Sequence, residues 1–142
     1  MPMTKMMKRV LLVIGVIAVL FTAGWLVKVG TTVQAKARNS KLSADLDSLF
    51  DGLQTYKENV GSYPIGGNAE IAKALTGQNA KKVIIRVGRK LDQNNKGEFV
   101  DPWGTPLRVY FSDNSILIRS AGPNGRFEGS TAMEFDDFIR SN

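Results

Sequence analysis

The sequence predicts an α+β fold in which a long N-terminal helix packs on a small antiparallel β-sheet. Three observations lead to this fold class. Residues 10–27 form an uncharged apolar run, and apolar residues recur at helical spacing over residues 42–56. Near the C-terminus, two segments rich in β-branched and aromatic residues flank a polar turn, which is typical of a β-hairpin. The predicted organisation is a short N-terminus of residues 1–9, a transmembrane helix of residues 10–27, an extension of the same helix over residues 28–60, and a β-rich domain of residues 61–142.

Composition excludes several classes of site. The chain contains no cysteine and no histidine, which removes disulfides, thiolate metal ligands, cysteine nucleophiles and imidazole general bases. The net charge is +6, and Lys5, Lys8 and Arg9 precede the apolar run, so only +3 (6 − 3) belongs to the rest of the chain. An excess this small supports no phosphate-binding surface. We therefore expect no nucleic-acid partner.

The apolar run is long enough to cross a membrane. Its 18 residues carry no charge, and a helix of that length spans about 27 Å, close to the roughly 30 Å of a hydrocarbon core. The cations Lys5, Lys8 and Arg9 place the N-terminus in the cytoplasm and residues 28–142 across the membrane. The alternative is a signal peptide cut after Ala35, but signal cores usually have about 7–15 residues. An uncut anchor is the favoured prediction.

An amphipathic helix is predicted from about Ala35 to Asn59, in continuity with the apolar run. Its apolar stripe consists of Leu42, Leu46, Leu49, Phe50, Leu53 and Tyr56. Its polar face is predicted to expose Asp45, Asp47, Asp51, Lys57 and Glu58. The stripe could dock another protein, but a small sheet needs an apolar partner, so we expect it to form the core. Gly61 and Pro64 should end the helix.

The rest of the chain is predicted to hold short elements. One or two helical turns should follow Asn68, and residues 82–87 should form a strand or an extended edge. Residues 107–111 and 116–120 should pair as an antiparallel hairpin around Ser112-Asp113-Asn114-Ser115. Before the hairpin, residues 101–106 form a rigid turn with two prolines and one glycine. Its Trp103 is predicted to plug the core.

The order of several short motifs resembles one known family. These motifs are Asp45-Leu46, Tyr56-Lys57, Gly61-Ser62-Tyr63-Pro64, Asp101-Pro102-Trp103-Gly104, Gly122-Pro123-Asn124-Gly125 and Asp136-Asp137. Over about residues 36–138 the chain resembles the major pseudopilin of type II secretion, general secretion pathway protein G. The resemblance implies a type IV pilin-like fold and a structural, non-enzymatic role in assembling a periplasmic pseudopilus. It also implies a bacterial inner-membrane location with a periplasmic C-terminal domain. The implied partners are other pilin-like subunits and secretion-system membrane components, with homo-oligomers forming through the N-terminal helix.

The N-terminus departs from that family. Its members begin with a box that a prepilin peptidase cuts and that carries a glutamate for subunit registration. The positions of the box's glycine, new N-terminus and glutamate are held here by Met6, Met7 and Leu11. This departure keeps a second function open, that of an uncut membrane-anchored or secreted pilin-like module that binds an envelope component.

The resemblance also implies a structural calcium site near the C-terminus. The matching ligands are Asn124, Asp136 and Asp137, with a backbone carbonyl near Ser120. Calcium takes six to eight oxygen ligands, and carboxylates, an amide oxygen and turn carbonyls supply such ligands. The open alternative is a solvated acidic tail. An acid and base pair formed by Asp136 and Asp137 is disfavoured, because neighbouring residues of an extended segment point to opposite faces.

Overall fold

The computed structural model describes residues 5–128 and 138–142, without the side chains of Met6, Lys8, Phe21 and residues 23–30. The chain separates into two compact units, Met1–Arg38 (unit 1) and Asn39–Asn142 (unit 2). Unit 1 contains the first part of helix α1, and unit 2 contains the other described elements.

Helix α1 extends over Lys5–Val60, which confirms the helices predicted from the apolar run and from the amphipathic pattern. In unit 1, the large apolar side chains that the structure describes between Met7 and Leu20 are 50% to 69% exposed. Across the described residues, however, the structure contains no helix that is long and apolar enough to cross a membrane. The transmembrane helix of residues 10–27 stays a prediction.

The core of unit 2 forms on the predicted stripe of α1. All six stripe residues are buried, with exposures of 0% to 5%. They pack with the buried side chains of Ile71, Leu75, Phe99, Ile116 and Ile118. The prediction that the stripe serves as core is confirmed. Helix α1 ends at Val60, where Gly61 adopts φ +102° and donates its N–H to the Lys57 carbonyl at 2.8 Å. This left-handed conformation is one that glycine adopts without a steric cost.

Helix α2 covers Asn68–Leu75 and confirms the short helix predicted after Asn68. The Glu70 carboxylate accepts the backbone N–H of Gly67 at 3.1 Å, which satisfies one exposed donor at the start of the helix. Asn68 ties α2 to the next segment, because its side-chain amide donates to the carbonyls of Phe99 and Leu107, each at 2.8 Å. The Asn68 Oδ1 atom accepts the Phe99 N–H at 2.7 Å. One asparagine therefore fixes where residues 99 and 107 meet.

The described residues form a three-stranded antiparallel sheet in the order β1-β2-β3. Strands β1 (Arg108–Phe111) and β2 (Ile116–Ser120) form the predicted hairpin, with Tyr110 opposite Leu117. Strand β3 (Phe138–Ser141) pairs with β2 and was not predicted. On β2, Ile116, Ile118 and Ser120 are buried, while the residues between them are half-buried. The two isoleucines belong to the same core as the α1 stripe. The α+β class predicted from the sequence is confirmed.

One local prediction holds in its second form, and another needs correction. Residues 82–87, predicted as a strand or an extended edge, form no strand, since their one ladder contact is an isolated bridge between Thr76 and Ile84. The segment is extended, and Val87 packs where Gly52 leaves room, since a Cβ on Gly52 would lie 3.1 Å from Val87 Cγ2. Trp103 is half-buried at the edge of the core and stacks on Phe138 with ring centroids 6.1 Å apart. It covers the core and does not fill it.

We predict that Ile118→Ala lowers the free energy of unfolding by about 2–5 kcal/mol, because it leaves a cavity beneath the sheet. Ile118 is 0% exposed, whereas Ile139, in the neighbouring strand β3, is 60% exposed. Ile139→Ala is therefore the matched control and should change stability by less than about 1 kcal/mol. Urea denaturation of both variants measures the difference. Equal losses would contradict the described position of the core.

Candidate functional site

The turn of residues 101–105, here called the Asp101 turn, is built around a buried carboxylate. Asp101 is 2% exposed, and its Oδ1 accepts the N–H groups of Trp103 at 3.0 Å and Thr105 at 2.8 Å. The backbone closes the same turn, with Asp101 N–H donating to Thr105 O at 2.9 Å and Gly104 N–H donating to Asp101 O at 2.9 Å. Gly104 has φ +89°, a conformation that favours glycine. The rigid turn predicted from the prolines and the glycine is confirmed, and the aspartate is its organising group.

Ser120 connects this turn to the sheet. Its hydroxyl donates to Asp101 Oδ2 at 2.7 Å and accepts the Gly122 N–H at 3.1 Å. Ser120 is 0% exposed, so its hydroxyl replaces the water that the carboxylate and the amide would otherwise bind. The chain of contacts joins the Asp101 turn, the end of β2 and the 3₁₀ turn Gly122–Asn124. The Asp101 carboxylate and the Ser120 hydroxyl thus use their hydrogen bonds within the fold, which indicates a structural role for both residues.

The predicted calcium ligands are only partly within the described residues. Asp136 and Asp137 lie outside the described residues. The Ser120 backbone pairs with Phe138, the residue that follows Asp137 in the sequence. Asn124 is exposed, and its Oδ1 accepts the Arg126 N–H at 2.7 Å while its Nδ2 donates to Glu128 Oε1 at 2.7 Å. Within residues 5–128 and 138–142, no group of three or more acidic side chains could hold a metal ion.

A second polar cluster joins α1 to the segment before the Asp101 turn. Asp45 is 3% exposed, which corrects the prediction that it lies on the wet face of α1. Lys41 Nζ binds Asp45 Oδ2 at 2.6 Å and Asp92 Oδ2 at 3.0 Å. Arg89 Nε lies 3.0 Å from Asp45 Oδ1, but this ion pair is not aligned as a hydrogen bond. Asp45 is therefore buried because two cations compensate its charge.

The ion pairs affect the titration of Lys41. The hydrogen bond to Asp45 raises the pKa of Lys41 above its ordinary value of 10.5, and burial opposes this shift. The Asp92 carboxylate also raises this pKa. Since the folded state binds the proton more tightly, the contribution to stability is complete below the ordinary lysine pKa of 10.5 and is lost as the pH rises through the higher folded-state pKa. The cluster thus stabilises unit 2 over the physiological range.

The sequence analysis missed this cluster. The spacing of Lys41 and Asp45 is the i, i+4 spacing that favours an ion pair on a helix, so this half could have been found. Arg89 and Asp92 are 44 and 47 residues beyond Asp45 in the sequence, and no local pattern links them to it. Only the tertiary fold brings them together.

An open groove lies beside the cluster, between α2 and the extended segment of residues 84–91. We call it the α2 groove, and its volume is about 400 Å³. Its apolar walls include Ala72, Leu75, Ile84, Ile85, Val87 and Phe99. Thr76, Arg89, Lys90 and Gln93 also line it. The groove therefore combines an apolar floor with cations at its margin.

Comparisons with known proteins include a similar solved structure. No family model matches the chain, and no curated protein matches it. The crystal structure of the major pseudopilin from the type 2 secretion system of enterohaemorrhagic Escherichia coli is similar, with 24% sequence identity and a TM-score of 0.43. The similarity covers 77% of this chain and 90% of that chain. A likeness at this level does not establish the family of this chain.

We predict that Ser120→Ala lowers the free energy of unfolding by about 1–3 kcal/mol, because it leaves the buried Asp101 carboxylate without one of its donors. Ser115 is exposed in the hairpin turn, so Ser115→Ala is the control and should have little effect. Chemical denaturation measures both variants. A Ser120→Ala protein as stable as the parent would contradict the role assigned to this hydrogen bond.

Proposed function

We propose that this chain is a structural, non-catalytic subunit of pilin-like type that assembles through the first part of α1 in a type II secretion-like system. The observation that carries the proposal is the helix of unit 1, whose described large apolar side chains between Met7 and Leu20 are all at least half exposed. A helix that is apolar all round is normally buried in a membrane or among other helices. The motif order in the sequence and the packing of α1 on a small sheet in unit 2 support the pilin-like type.

The proposed location is the bacterial inner membrane. The uncharged run of residues 10–27 supports a single-pass anchor, and Lys5, Lys8 and Arg9 before it support a cytoplasmic N-terminus. Unit 2 would then lie in the periplasm, where other pilin-like subunits and membrane components of the secretion system are its proposed partners. The absence of cysteine is compatible with that location, because the core and the buried polar contacts of unit 2 require no disulfide.

A second candidate function is favoured by the sequence at the N-terminus. Met6, Met7 and Leu11 stand where the resemblance would require the peptidase box and its glutamate. Without that glutamate, this chain lacks the charged group that would register subunits in a standard pseudopilus. The alternative is an uncut membrane-anchored or secreted pilin-like module that recognises an envelope component and does not polymerise.

A cysteine scan in native membranes tests assembly. The parent chain has no cysteine, so single substitutions Leu11→Cys, Leu12→Cys, Val13→Cys and Ile14→Cys sample a full helical turn of about 3.6 residues. We expect an oxidant to produce covalent dimers from at least one of these variants in the membrane fraction. The dimers should be visible by non-reducing electrophoresis.

Two controls make this experiment decisive. Asn95→Cys places the same thiol on an exposed loop of unit 2 and should give no dimer under the same conditions. Val13→Arg combined with Ile17→Arg should release the protein from carbonate-washed membranes, because each central arginine costs about 2.5–3.5 kcal/mol on insertion. Membrane retention with no dimer at any scanned position would contradict assembly and support the binding module. Release of the parent protein would contradict the anchor.

Calcium binding near the C-terminus is a further part of the proposal. Asn124 supplies an exposed amide oxygen, and the pairing of Ser120 with Phe138 brings the residue after Asp137 to the end of β2. Oxygen donors of this kind are the ligands that calcium prefers, and the ion would tie the last loop to the sheet. No other chemistry is assigned to it.

We predict that calcium raises the melting temperature of the full-length protein relative to the protein in chelator. A hundredfold excess of ion over its Kd adds about 2.7 kcal/mol. Asp136→Ala combined with Asp137→Ala should abolish the increase, whereas Asp113→Ala, in the exposed hairpin turn, should preserve it. Identical melting temperatures of the parent with calcium and with chelator would remove the ion from the proposal.

A further inference from the structure

The α2 groove lies in the most basic part of unit 2. From Ile71 to Leu91 the chain has six cations and no aspartate or glutamate. Two of these cations, Arg89 and Lys90, line the groove, and none of the residues that line it is acidic. The charge of the groove therefore favours an anionic occupant.

Arg89 has hydrogen-bonding capacity that the fold does not use. Its Nε is 3.0 Å from Asp45 Oδ1, and its side chain is 44% exposed. Within residues 5–128 and 138–142, neither terminal nitrogen of this guanidinium has a hydrogen-bond partner. A guanidinium has five N–H donors in a planar fork that matches a carboxylate in two-point contact. Because Asp45 fixes Arg89 from one side, the side chain is positioned before any partner arrives.

The groove also presents backbone groups that could pair with an extended chain. Ile85 N–H donates to Leu75 O at 2.9 Å. The backbone groups of Ile85 therefore point toward α2. In an extended chain, residues two apart direct their backbone groups to the same side, so those of Val87 point toward α2 as well. Among the described residues, no backbone group bonds to the N–H or C=O of Val87. Within the described residues, Val87 thus offers an unpaired backbone N–H and C=O beside an apolar floor, next to the paired Ile85.

The exposed side chain of Ile84 extends the apolar surface at the groove margin. Ile84 is 71% exposed although the neighbouring Ile85 is only 6% exposed. Ile84 lies between Lys82 and Arg86, both exposed. An occupant that covered Ile84 would meet these cations on either side. A strand in which apolar and acidic side chains alternate would match both the exposed Ile84 and the flanking cations, since alternate residues of a strand face opposite sides.

We propose that the α2 groove binds an extended segment of a partner protein that carries alternating aliphatic and acidic side chains. The aliphatic side chains enter the floor formed by Leu75, Ile85 and Val87. A side-chain carboxylate binds Arg89, with Lys90 as the second cation, and the partner backbone pairs with Val87. This is strand addition to an open edge, in which the main chain supplies affinity and the pockets supply specificity. The inference does not depend on the proposed function, because every group that it uses lies in unit 2.

The test uses full-length protein in detergent and a fluorescein-labelled eight-residue peptide of alternating valine and glutamate with an amidated C-terminus. Amidation leaves only side-chain carboxylates to bind Arg89. We expect saturable binding by fluorescence anisotropy, and none for the valine and lysine counterpart. Peptides with glycine in place of valine, or with methylated backbone nitrogens, should bind at least about tenfold more weakly, a loss of about 1.4 kcal/mol.

Surface variants locate the site without disturbing the core. Lys90→Glu and Ile84→Asp should each weaken binding about tenfold, since both residues are exposed and line the groove. Lys96→Glu makes the same charge change on an exposed loop outside the groove and should leave binding within about twofold. Equal losses in Lys90→Glu and Lys96→Glu would indicate general charge attraction and overturn the proposal. Equal competition by anionic lipid added to the detergent micelles, or unaltered binding to Ile84→Asp, would also overturn the proposal.

Discussion

Unit 2 depends on the burial of one face of α1 beneath the sheet. A sheet of three short strands has too little apolar area of its own to be stable in water, so it requires a partner layer. The six stripe residues of α1, all at most 5% exposed, provide that layer. Each side chain of this kind contributes about 1.5–3 kcal/mol on burial. Lateral contacts then fix the sheet on the helix. Arg140 of β3 lies 4.3 Å from the centre of the Phe50 ring, and Lys57 donates to the Asp113 carbonyl at 2.7 Å.

Buried polar groups determine how the loops cover this core. Asn68 binds the backbone of the distant residues Phe99 and Leu107 at 2.7 to 2.8 Å. Asp101 accepts two N–H groups of its own turn at 2.8 and 3.0 Å and the hydroxyl of the distant Ser120 at 2.7 Å. Such groups are costly unless every donor and acceptor is satisfied. The described arrangement of the loops satisfies these groups, so they favour it. These contacts do in unit 2 what disulfides do in many small exported domains.

The sequence predicts those elements whose information is local. The apolar stripe of α1 has a clear 3.6-residue period, and the β1–β2 hairpin has a polar turn between two β-rich segments. Strand β3 has only four residues and lies next to the chain end, so its alternation is too short to recognise. The burial of Asp45 could not be predicted, because an aspartate is normally exposed and the compensating Arg89 is remote in sequence. The roles of Asp101 and Ser120 were likewise missed, since their partnership is created by the tertiary fold.

The cations near the α2 groove explain why an open edge can persist on the surface of unit 2. Residues 83, 85 and 87 direct apolar side chains toward the core, yet the segment joins no strand. Exposed lysines and arginines beside an open edge disfavour pairing with a second copy of the same edge, because like charges would then face each other. The same charges leave pairing open to an acidic segment. Discrimination of this kind rests on repulsion of the wrong partner as much as on attraction of the right one. The basic segment can therefore protect the domain from aggregation and select its partner by the same electrostatic effect.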